Sequence, residues 1–390
     1  MRVAVVSEYY PREADPVLGI WAHEQAVAAR DAGADVRVVV LHRVVPPAAT
    51  ARRDLPAATL RLLRQPRHAL LDGIPVSYVR FVSPPRPSSY GSWGRWAAPS
   101  LALALRRLRR GFPFDLVHAH NAVPAADAVL RARIDAPLVV SEHGIDVYYT
   151  ALRHPDGRAA IARAFGAARL VLANSTGIAH ACEALGARAT RVVRLGADLP
   201  MRPAHRDDDP TLVTLAHLVP RKRHADVLRA MWALRERHPR LRYVVVGDGP
   251  ERDRLAELAR ELGIADRVEL AGQLPHAEAL ERARRGWLFV MPSIDEAFGV
   301  AYVEAMAGGL PAIGALGEPG PAEIARIGDG LRLVPPGDVE RLARAIDELL
   351  DDQAMLAELG IRARETVERA FTWRTCGRAT LAAYEEALAP

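Results

Sequence analysis

The sequence has 390 residues, of which half are hydrophobic and a quarter charged, with a net charge of +5. This length exceeds one comfortable core and predicts two α/β domains of roughly 150–200 residues each. No uninterrupted apolar run approaches the roughly 20 residues that a membrane-spanning helix needs, and the apolar start before Glu8 is too short for a signal-peptide core. Cys182 and Cys376 give neither a disulfide framework nor a metal-ligand spacing, so we expect a reducing cytoplasm.

Short β-branched runs alternate with amphipathic stretches along the chain, which predicts βα units and parallel sheets. The predicted strands of the first half are Val3–Ser7, Val36–Leu41, Val76–Arg80, Leu116–Ala119, Leu138–Ser141, Leu170–Ala173 and Arg191–Val193. The predicted helices are Trp21–Ala32, Ser100–Arg110, Ala122–Arg133 and Thr176–Leu185, the last with an N-cap at Ser175.

Three prolines and the run Asp207-Asp208-Asp209 then make Leu199–Pro210 a predicted linker. The predicted strands of the second half are Leu212–Ala216, Tyr243–Gly247, Val268–Ala271, Leu288–Met291, Ala312–Gly314 and Leu331–Val334. The predicted helices are Ala225–Arg237, Glu251–Leu262, Val300–Ala307, Val339–Leu350 and Met355–Ala370. Ligands of such sheets bind beyond the carboxyl ends of the strands, so we expect a site in a cleft between the two halves.

The segment that follows the strand ending at Met291 combines a polar loop with a helix start. Gly299 lets the backbone approach a ligand, and the free N–H groups at Val300 suit a phosphate or sugar oxygen. Glu296 in the loop and Glu304 one turn into the helix can each accept hydroxyl hydrogen bonds from a polyol. Taken alone, either residue is better explained as an ordinary glutamate, solvated in the loop or on the helix surface.

Lys222 is the only lysine among 52 lysine and arginine residues. It follows an apolar strand, where an anionic ligand binds in this type of fold. On position alone, an anion site and a surface turn explain it equally well.

Residues 292–307 resemble the signature of the family-four retaining glycosyltransferases. Their Glu-x7-Glu motif matches Glu296 and Glu304, within the strings Glu-x-Phe298-Gly and Glu-Ala-Met-Ala. The resemblance continues along the chain in the expected order. It implies the α/β GT-B fold: two Rossmann-like domains with a central cleft and a C-terminal helix that crosses back.

The resemblance also covers residues 212–222, where the family grips the donor diphosphate with Gly-Arg-Leu and a lysine. Lys222 matches that lysine, which favours the anion site over the surface turn. His217 stands in place of the arginine and Ala216 in place of the glycine. A neutral imidazole offers one donor instead of a guanidinium fork, so we expect a weaker or pH-dependent grip, with Arg221 compensating.

Two further features of the second half are weaker signals. Gly247-x-Gly249 after a strand invites a dinucleotide interpretation, but Arg252 replaces the third glycine, and in the resembled family this turn is structural. Leu274 matches the segment whose backbone lies against the nucleotide base.

In the first half, Gly19 resembles the glycine loop that faces the donor phosphates, although it also suits a simple turn. His143 in His-Gly matches the family's loop near the reacting sugar, where it would donate a hydrogen bond. His118 and His120 alternate on one strand. A metal pair there lacks a third ligand, and we favour a cleft-lining or packing role.

The resemblance implies transfer of a hexose-type sugar from a nucleoside diphosphate sugar to an acceptor hydroxyl, with the anomeric configuration retained. Glu304 would hold the ribose and Glu296 the sugar hydroxyls, while no metal, other cofactor or protein nucleophile is expected. The implied domains are 1–198 for the acceptor, 199–372 for the donor nucleotide, and 373–390 as a terminal helix on the first domain. Local packing of that helix remains the alternative.

The acceptor is open: a glycan, a lipid-linked molecule or a small molecule. A stretch of tryptophans and arginines suggests contact with the inner face of an anionic membrane, or simply a helix covering its own core: Trp93, Trp96, Arg106, Arg107, Arg109 and Arg110. We expect no nucleic-acid partner, because the arginines form no dense stripe. The alternatives are a sugar-nucleotide epimerase of the same fold and a non-catalytic nucleotide-sugar-binding protein.

Overall fold

The structure is a computed structural model that describes residues 1–46, 48–85, 89–201 and 205–390, with side chains in these ranges except for 48–54. The chain forms two compact units. The first comprises Met1–Leu195 together with Trp373–Pro390, and the second comprises Gly196–Thr372.

The first unit is built on an eight-stranded sheet in the order β3-β4-β2-β1-β5-β6-β7-β8. The strands are β1 Arg2–Ser7, β2 Asp35–Arg43, β3 His68–Leu71, β4 Ile74–Phe81, β5 Leu116–His120, β6 Leu138–Glu142, β7 Leu170–Ala173 and β8 Thr190–Val192. All pairs are parallel except β3 with β4. Asp72 and Gly73, both with positive φ, close that hairpin, as a two-residue turn between strands requires.

Among the described residues, seven α-helices accompany this sheet before the chain enters the second unit. They are α1 Ile20–Asp31, α2 Ala48–Arg64, α3 Trp93–Gly111, α4 Asp127–Ala132, α5 Ala151–Arg153, α6 Pro155–Ala167 and α7 Thr176–Ala184. Helix α3 runs through Pro99 and begins earlier than the predicted start at Ser100. The Ser175 hydroxyl accepts a hydrogen bond from the Ile178 N–H at 3.3 Å and thus caps α7 as predicted.

The second unit contains a six-stranded, fully parallel sheet in the order β11-β10-β9-β12-β13-β14. The strands are β9 Thr211–Leu215, β10 Arg242–Val246, β11 Val268–Gly272, β12 Leu288–Met291, β13 Ala312–Ala315 and β14 Leu331–Val334. Strands β9 and β12 are neighbours, with Leu212 opposite Leu288. The chain order reverses between them, so the loops after β9 and β12 flank the switch point where α/β sheets bind ligands.

The helices of this unit are α8 His224–Ala233, α9 Arg252–Glu261, α10 His276–Arg284, α11 Val300–Ala307, α12 Pro319–Ile327, α13 Val339–Asp351 and α14 Gln353–Ala370. The predicted linker requires a correction, since residue 207 is fixed to this unit. The Asp207 carboxylate accepts hydrogen bonds from Arg282 at 3.1 Å and Arg285 at 2.9 Å, and its backbone N–H donates to the Arg285 carbonyl at 2.8 Å.

The last helix, α15 Trp373–Leu388, belongs to the first unit. It packs on α1, where a side chain at Gly377 would overlap the backbone of Ala28. Gln25 donates a hydrogen bond to the Thr380 hydroxyl at 3.1 Å, and Tyr384 is fully buried. None of the described helices combines the length and the apolar character that crossing a bilayer demands.

Candidate functional site

Two loops meet at the switch point of the second unit, and we name them after their key residues. The lysine loop, residues 216–223, follows β9, and the glutamate loop, residues 292–299, follows β12. The Ile294 N–H donates to the Arg221 carbonyl at 2.9 Å, which joins the two loops directly.

The centre of the site is an ion pair between the two loops. The Lys222 ammonium donates to Glu296 Oε2 at 2.6 Å, and the Ser293 hydroxyl donates to the same oxygen at 2.8 Å. Arg221 lies 3.8 Å from this oxygen. The Lys222 and Glu296 side chains are only 11% and 10% exposed, so the pair is largely withdrawn from water.

Burial and charge act on this pair in opposite directions. Burial works to raise the pKa of Glu296, but Lys222, Arg221 and the hydrogen bonds outweigh it, so the pKa of Glu296 is lowered. Burial lowers the pKa of Lys222, and Glu296 only partly offsets that effect. The glutamate is therefore an anion at neutral pH, held ready for hydroxyl hydrogen bonds.

The backbone of the glutamate loop is fixed by the start of α12. The Glu318 carboxylate accepts a hydrogen bond from the Glu296 N–H at 2.8 Å, and the Gly320 N–H donates to the Glu296 carbonyl at 3.0 Å. A Cβ at Gly320 would overlap the backbone of Phe298, which is itself buried. Sequence reasoning missed Glu318 because α12 was not predicted.

Helix α11 begins at Val300, as predicted, with Gly299 at its N-cap in the left-handed region at φ 83°. A glycine cap has no side chain to satisfy the first-turn N–H groups, which keeps this helix end suited to an anion. Tyr302 in the same turn is buried, and its hydroxyl bonds to the Met291 carbonyl, which ties α11 to the end of β12.

Glu304 lies on α11 with its side chain 13% exposed. Its Oε1 is 3.2 Å from Nε2 of His276, the first residue of α10. The second predicted glutamate is therefore also engaged by a basic partner, one that the sequence did not single out because α10 was not predicted.

The remaining predicted donor residues lie around these loops. His217 is exposed, with Nδ1 3.3 Å from the carbonyl oxygen of Asp248. Leu274 is half-buried and packs on an apolar cluster that includes Val213 and Val246. Neither position contradicts a role in donor binding.

The glycine turn after β10 supports the lysine loop. A Cβ at Gly247 would overlap the Ala216 carbonyl oxygen, and one at Gly249 would lie 2.6 Å from that of Leu218. The Leu218 N–H donates to the Asp248 carbonyl at 3.1 Å. The glycines thus allow close packing of two loops, which accounts for Gly247 and Gly249 in this turn.

In the first unit, Gly19 caps α1 at φ 65°, and a Cβ there would overlap the backbone of Tyr9. His143 follows β6, and its Nε2 lies 2.9 Å from His120 Nδ1. The two rings are nearly parallel, at 7°, with centroids 5.2 Å apart. The predicted His143 is therefore paired with a second histidine.

Both ring nitrogens of His118 have hydrogen-bond partners. Its Nδ1 lies 2.8 Å from the Tyr384 hydroxyl of α15, and its Nε2 lies 2.8 Å from the Ser141 hydroxyl. Burial lowers the pKa of His118 to about 3. These two hydrogen bonds agree with the packing role expected for His118.

The described residues contain one cluster with metal-ligand spacing, and it lies on α13 and just after α8 rather than at a strand end. His238, Asp347 and Asp351 form it. Arg237 already pairs with both carboxylates, so the cluster is an ion-pair network between two helices.

The tryptophan–arginine stretch coincides with α3. Trp93 is a correction to the predicted surface, because it is 1% exposed and bonds to the Ser83 hydroxyl. Trp96 is 42% exposed and Leu103 51% exposed. The predicted arginines of this helix are all exposed: Arg106, Arg107, Arg109 and Arg110.

Comparison with known proteins identifies the family of this chain. The profile described as Glycosyl transferases group 1 matches residues 198–366, and that described as Glycosyltransferase Family 4 matches residues 18–201. D-inositol 3-phosphate glycosyltransferase 1 of Catenulispora acidiphila is 32% identical over 351 residues, which cover 82% of each chain.

Two solved structures share the fold over 99% of this chain. Sucrose-phosphate synthase of Thermosynechococcus elongatus superposes over 98% of its chain with a TM-score of 0.80 at 20% identity. Anabaena HepE in complex with UDP-glucose superposes over its full length with a TM-score of 0.73 at 22% identity. The fold and site thus define a glycosyltransferase enzyme of the GT-B architecture. The chain belongs to the group 1 glycosyltransferases, family 4.

Proposed function

We propose that this glycosyltransferase moves a hexose-type sugar from a nucleoside diphosphate sugar to an acceptor hydroxyl, with retention of configuration. The observation that carries the proposal is the buried contact of Lys222 with Glu296 at the switch point of the second unit. In the proposed complex the Lys222 ammonium binds the diphosphate and the adjacent Glu296 carboxylate binds the sugar hydroxyls. The two groups therefore lie on either side of the bond that breaks.

The leaving group of this reaction is the diphosphate, and its charge must be stabilised. Lys222, Arg221 and the N-terminus of α11 supply positive charge and N–H donors at one strand edge. These groups are fixed in advance by the loop contacts, so they need little reorganisation as the bond breaks. We therefore propose that no metal ion is needed.

Glu296 suits binding rather than nucleophilic attack. Its Oε2 already accepts hydrogen bonds from Lys222 and Ser293, which lowers its reactivity toward carbon. In the proposed step the bond from the anomeric carbon to the phosphate oxygen breaks, and the bond to the acceptor oxygen forms on the same face. The acceptor proton passes to the departing phosphate.

HepE was solved in complex with UDP-glucose, which supports UDP as the first nucleotide to test. Glu304 is the proposed ribose ligand and Leu274 the proposed contact to the base. His143 in the first unit is the proposed hydrogen-bond donor to the reacting sugar, with Gly19 facing the donor phosphates.

The acceptor is proposed to be a glycan, a lipid-linked molecule or a small molecule, and we propose no nucleic-acid partner. The exposed Trp96 and Leu103 beside the exposed arginines of α3 support peripheral contact with an anionic membrane at the cytoplasmic face. Absence of binding to anionic vesicles at low salt would contradict this contact.

The reaction is tested by incubating the protein with UDP- and GDP-hexoses in EDTA, with and without a panel of hydroxyl acceptors. We expect nucleoside diphosphate release that an acceptor accelerates, and a product whose anomeric proton shows the configuration of the donor. Turnover of the donor to another sugar nucleotide without an acceptor would identify an epimerase instead. Donor binding without any turnover would identify a binding protein.

A further inference from the structure

A buried histidine connects the two ends of the lysine loop. His224 is the first residue of α8 and directly follows this loop, and its Nε2 lies 3.2 Å from the carbonyl oxygen of His217. His224 is only 2% exposed, whereas His217 is exposed. The contact therefore holds the His217 carbonyl toward the interior of the second unit, and Lys222 lies on the stretch of chain that this contact closes.

The chemistry of this contact determines the tautomer of His224. A carbonyl oxygen only accepts hydrogen bonds, so Nε2 must carry the hydrogen that lies between the two atoms. Burial lowers the pKa of His224 to about 4, so the ring is neutral at pH 7 and its second nitrogen, Nδ1, carries no hydrogen. Nδ1 is therefore an acceptor, and the Tyr243 hydroxyl, 3.2 Å away, is its donor.

Tyr243 links the histidine to the core of the sheet. This tyrosine lies on β10 and Thr214 lies on the neighbouring strand β9, and both are fully buried. Their hydroxyl oxygens are 2.8 Å apart, and the Thr214 hydroxyl also contacts the Val290 carbonyl of β12. Three adjacent strands thus take part in one chain of polar contacts, which ends at the His217 carbonyl.

The last residue of the lysine loop needs such support. Arg223 has a φ of 56°, in the left-handed region that residues with a side chain rarely adopt. A residue held in this region costs free energy and persists only where surrounding contacts fix it. Arg223 Nε donates to Asp226 Oδ2 at 2.6 Å, and the His224 contact fixes the chain on the C-terminal side. His224 therefore stabilises the turn that leads from Lys222 into α8.

The contact is also independent of the groups that the proposed donor needs. The Lys222 ammonium and the Glu296 carboxylate bind each other and, in the proposed reaction, the donor as well. His224 uses its own ring and a backbone carbonyl, so it can hold the loop both in the free protein and in the complex.

We propose that His224 is a positioning residue for the donor site: as the Nε2–H tautomer, it holds the lysine loop in the conformation that places Lys222 beside Glu296. The inference rests on the proposed function, because it links His224 to the binding of the donor diphosphate. Since it is buried, His224 acts through the loop and not by contact with the donor. Without the Nε2–H group, the loop must be ordered when the donor binds, and that ordering weakens binding.

The first test compares two substitutions that both remove the imidazole ring. The side-chain amide of His224→Gln reaches the position of Nε2 and can donate to the His217 carbonyl, whereas that of His224→Asn reaches only the position of Nδ1. Calorimetry with UDP, GDP and their hexose derivatives measures donor binding. We expect binding about three- to tenfold weaker in His224→Asn, and within about twofold of the wild type in His224→Gln.

His238→Asn is the matched control, because His238 belongs to the same unit but bonds to Asp347, at 2.7 Å, instead of the lysine loop. It should leave donor binding unchanged. Wild-type affinity in His224→Asn would overturn the inference. An equal loss in His224→Asn and His224→Gln would also overturn it, because the loss would then come from packing of the ring.

The second test needs no donor. In the full-length protein with ¹⁵N-labelled histidine, NMR at pH 7 should show the His224 hydrogen on Nε2, with the signal assigned by its absence from His224→Gln. Hydrogen–deuterium exchange of peptides covering residues 216–223 should be faster in His224→Asn than in His224→Gln. A hydrogen on Nδ1, or equal exchange in the two variants, would overturn the inference. If these results hold but no nucleotide binds the wild-type protein, the proposed function fails and the positioning of the loop by His224 stands.

Discussion

Lys222 Nζ lies 2.6 Å from Glu296 Oε2, so two residues predicted as ligands for different parts of the donor contact each other directly. Each neutralises the other in a largely buried position. In the proposed reaction the diphosphate would share Lys222 with Glu296, and the sugar would bind a carboxylate that already has two donors. The proposal therefore links donor binding to the stability of the second unit.

The first prediction concerns that stability. Lys222→Ala leaves the Glu296 carboxylate buried without its cation, which should lower the free energy of unfolding of the second unit by about 3–5 kcal/mol. The readout is hydrogen–deuterium exchange of peptides from residues 196–372 across a urea series.

A second substitution provides the control. Glu296→Gln in the Lys222→Ala background removes the uncompensated charge while keeping an oxygen that accepts from Ser293. It should restore most of the lost stability. If Lys222→Ala leaves exchange of this unit unchanged, the ion pair does not stabilise the unit.

The second prediction separates Glu304 from its partner His276. Glu304→Gln should weaken nucleoside diphosphate binding about tenfold, because a charged acceptor for the ribose hydroxyls is lost. His276→Ala releases the carboxylate from its 3.2 Å contact and should leave binding unchanged or tighter. Calorimetric titration with UDP and GDP measures both. Weaker binding in His276→Ala would make His276 itself a ligand contact.

The third prediction concerns His217, which stands where the resembled family has an arginine. His217→Arg replaces a single imidazole donor by a guanidinium fork and should tighten diphosphate binding about three- to tenfold. His217 is exposed and has one weak contact, to the Asp248 carbonyl at 3.3 Å, so the change should cost little stability. Titration with UDP and GDP gives the ratio. Binding that does not change in the arginine variant would place position 217 away from the diphosphate.

The fourth prediction is a loss of stability in acid. Burial lowers the pKa of His118 and His143 to about 3 and that of His224 to about 4, from 6.5. Between those values the unfolded chain binds more protons than the folded one, so the free energy of unfolding falls as the pH drops below about 6.5. Each histidine contributes about 1.4 kcal/mol per pH unit.

Glu142 opposes this trend. Burial raises its pKa, so above its ordinary pKa the folded state keeps a proton that the unfolded state loses. Thermal melts between pH 4 and pH 7.5 give the net slope. His224→Asn should flatten the slope of the second unit only, and His118→Asn that of the first. A melting temperature that stays constant over this range would contradict the lowered values.

The sequence predicted the parallel sheets well, since buried strands are continuous apolar runs such as Leu170–Ala173 and Leu288–Met291, whose bounds match the structure. It missed the nine-residue helices His276–Arg284 and Pro319–Ile327, and the second of these opens on Pro319-Gly320-Pro321, residues that are typical of a turn. His276 is the first residue of the first of these helices, and Glu318 is the N-cap residue of the second.

The site shows the same division. Lys222, Glu296, Gly299 and Glu304 were predicted because their spacing repeats a family motif, and the structure brings the first two together. The partners of these residues come from positions far along the chain, as His276 does for Glu304. Motif spacing contains no information about such tertiary contacts. The pairing of His143 with His120 likewise depends on the register of β5 with β6.

The most direct test of the account titrates the intact protein and Lys222→Ala with UDP, GDP and their hexose derivatives in EDTA, by calorimetry. We predict saturable binding of one nucleotide and its sugar without metal, and binding about ten- to a hundredfold weaker in the variant. Equal affinity in the variant, or no binding of any nucleotide to the folded wild-type protein, would contradict a donor site built on Lys222 and Glu296.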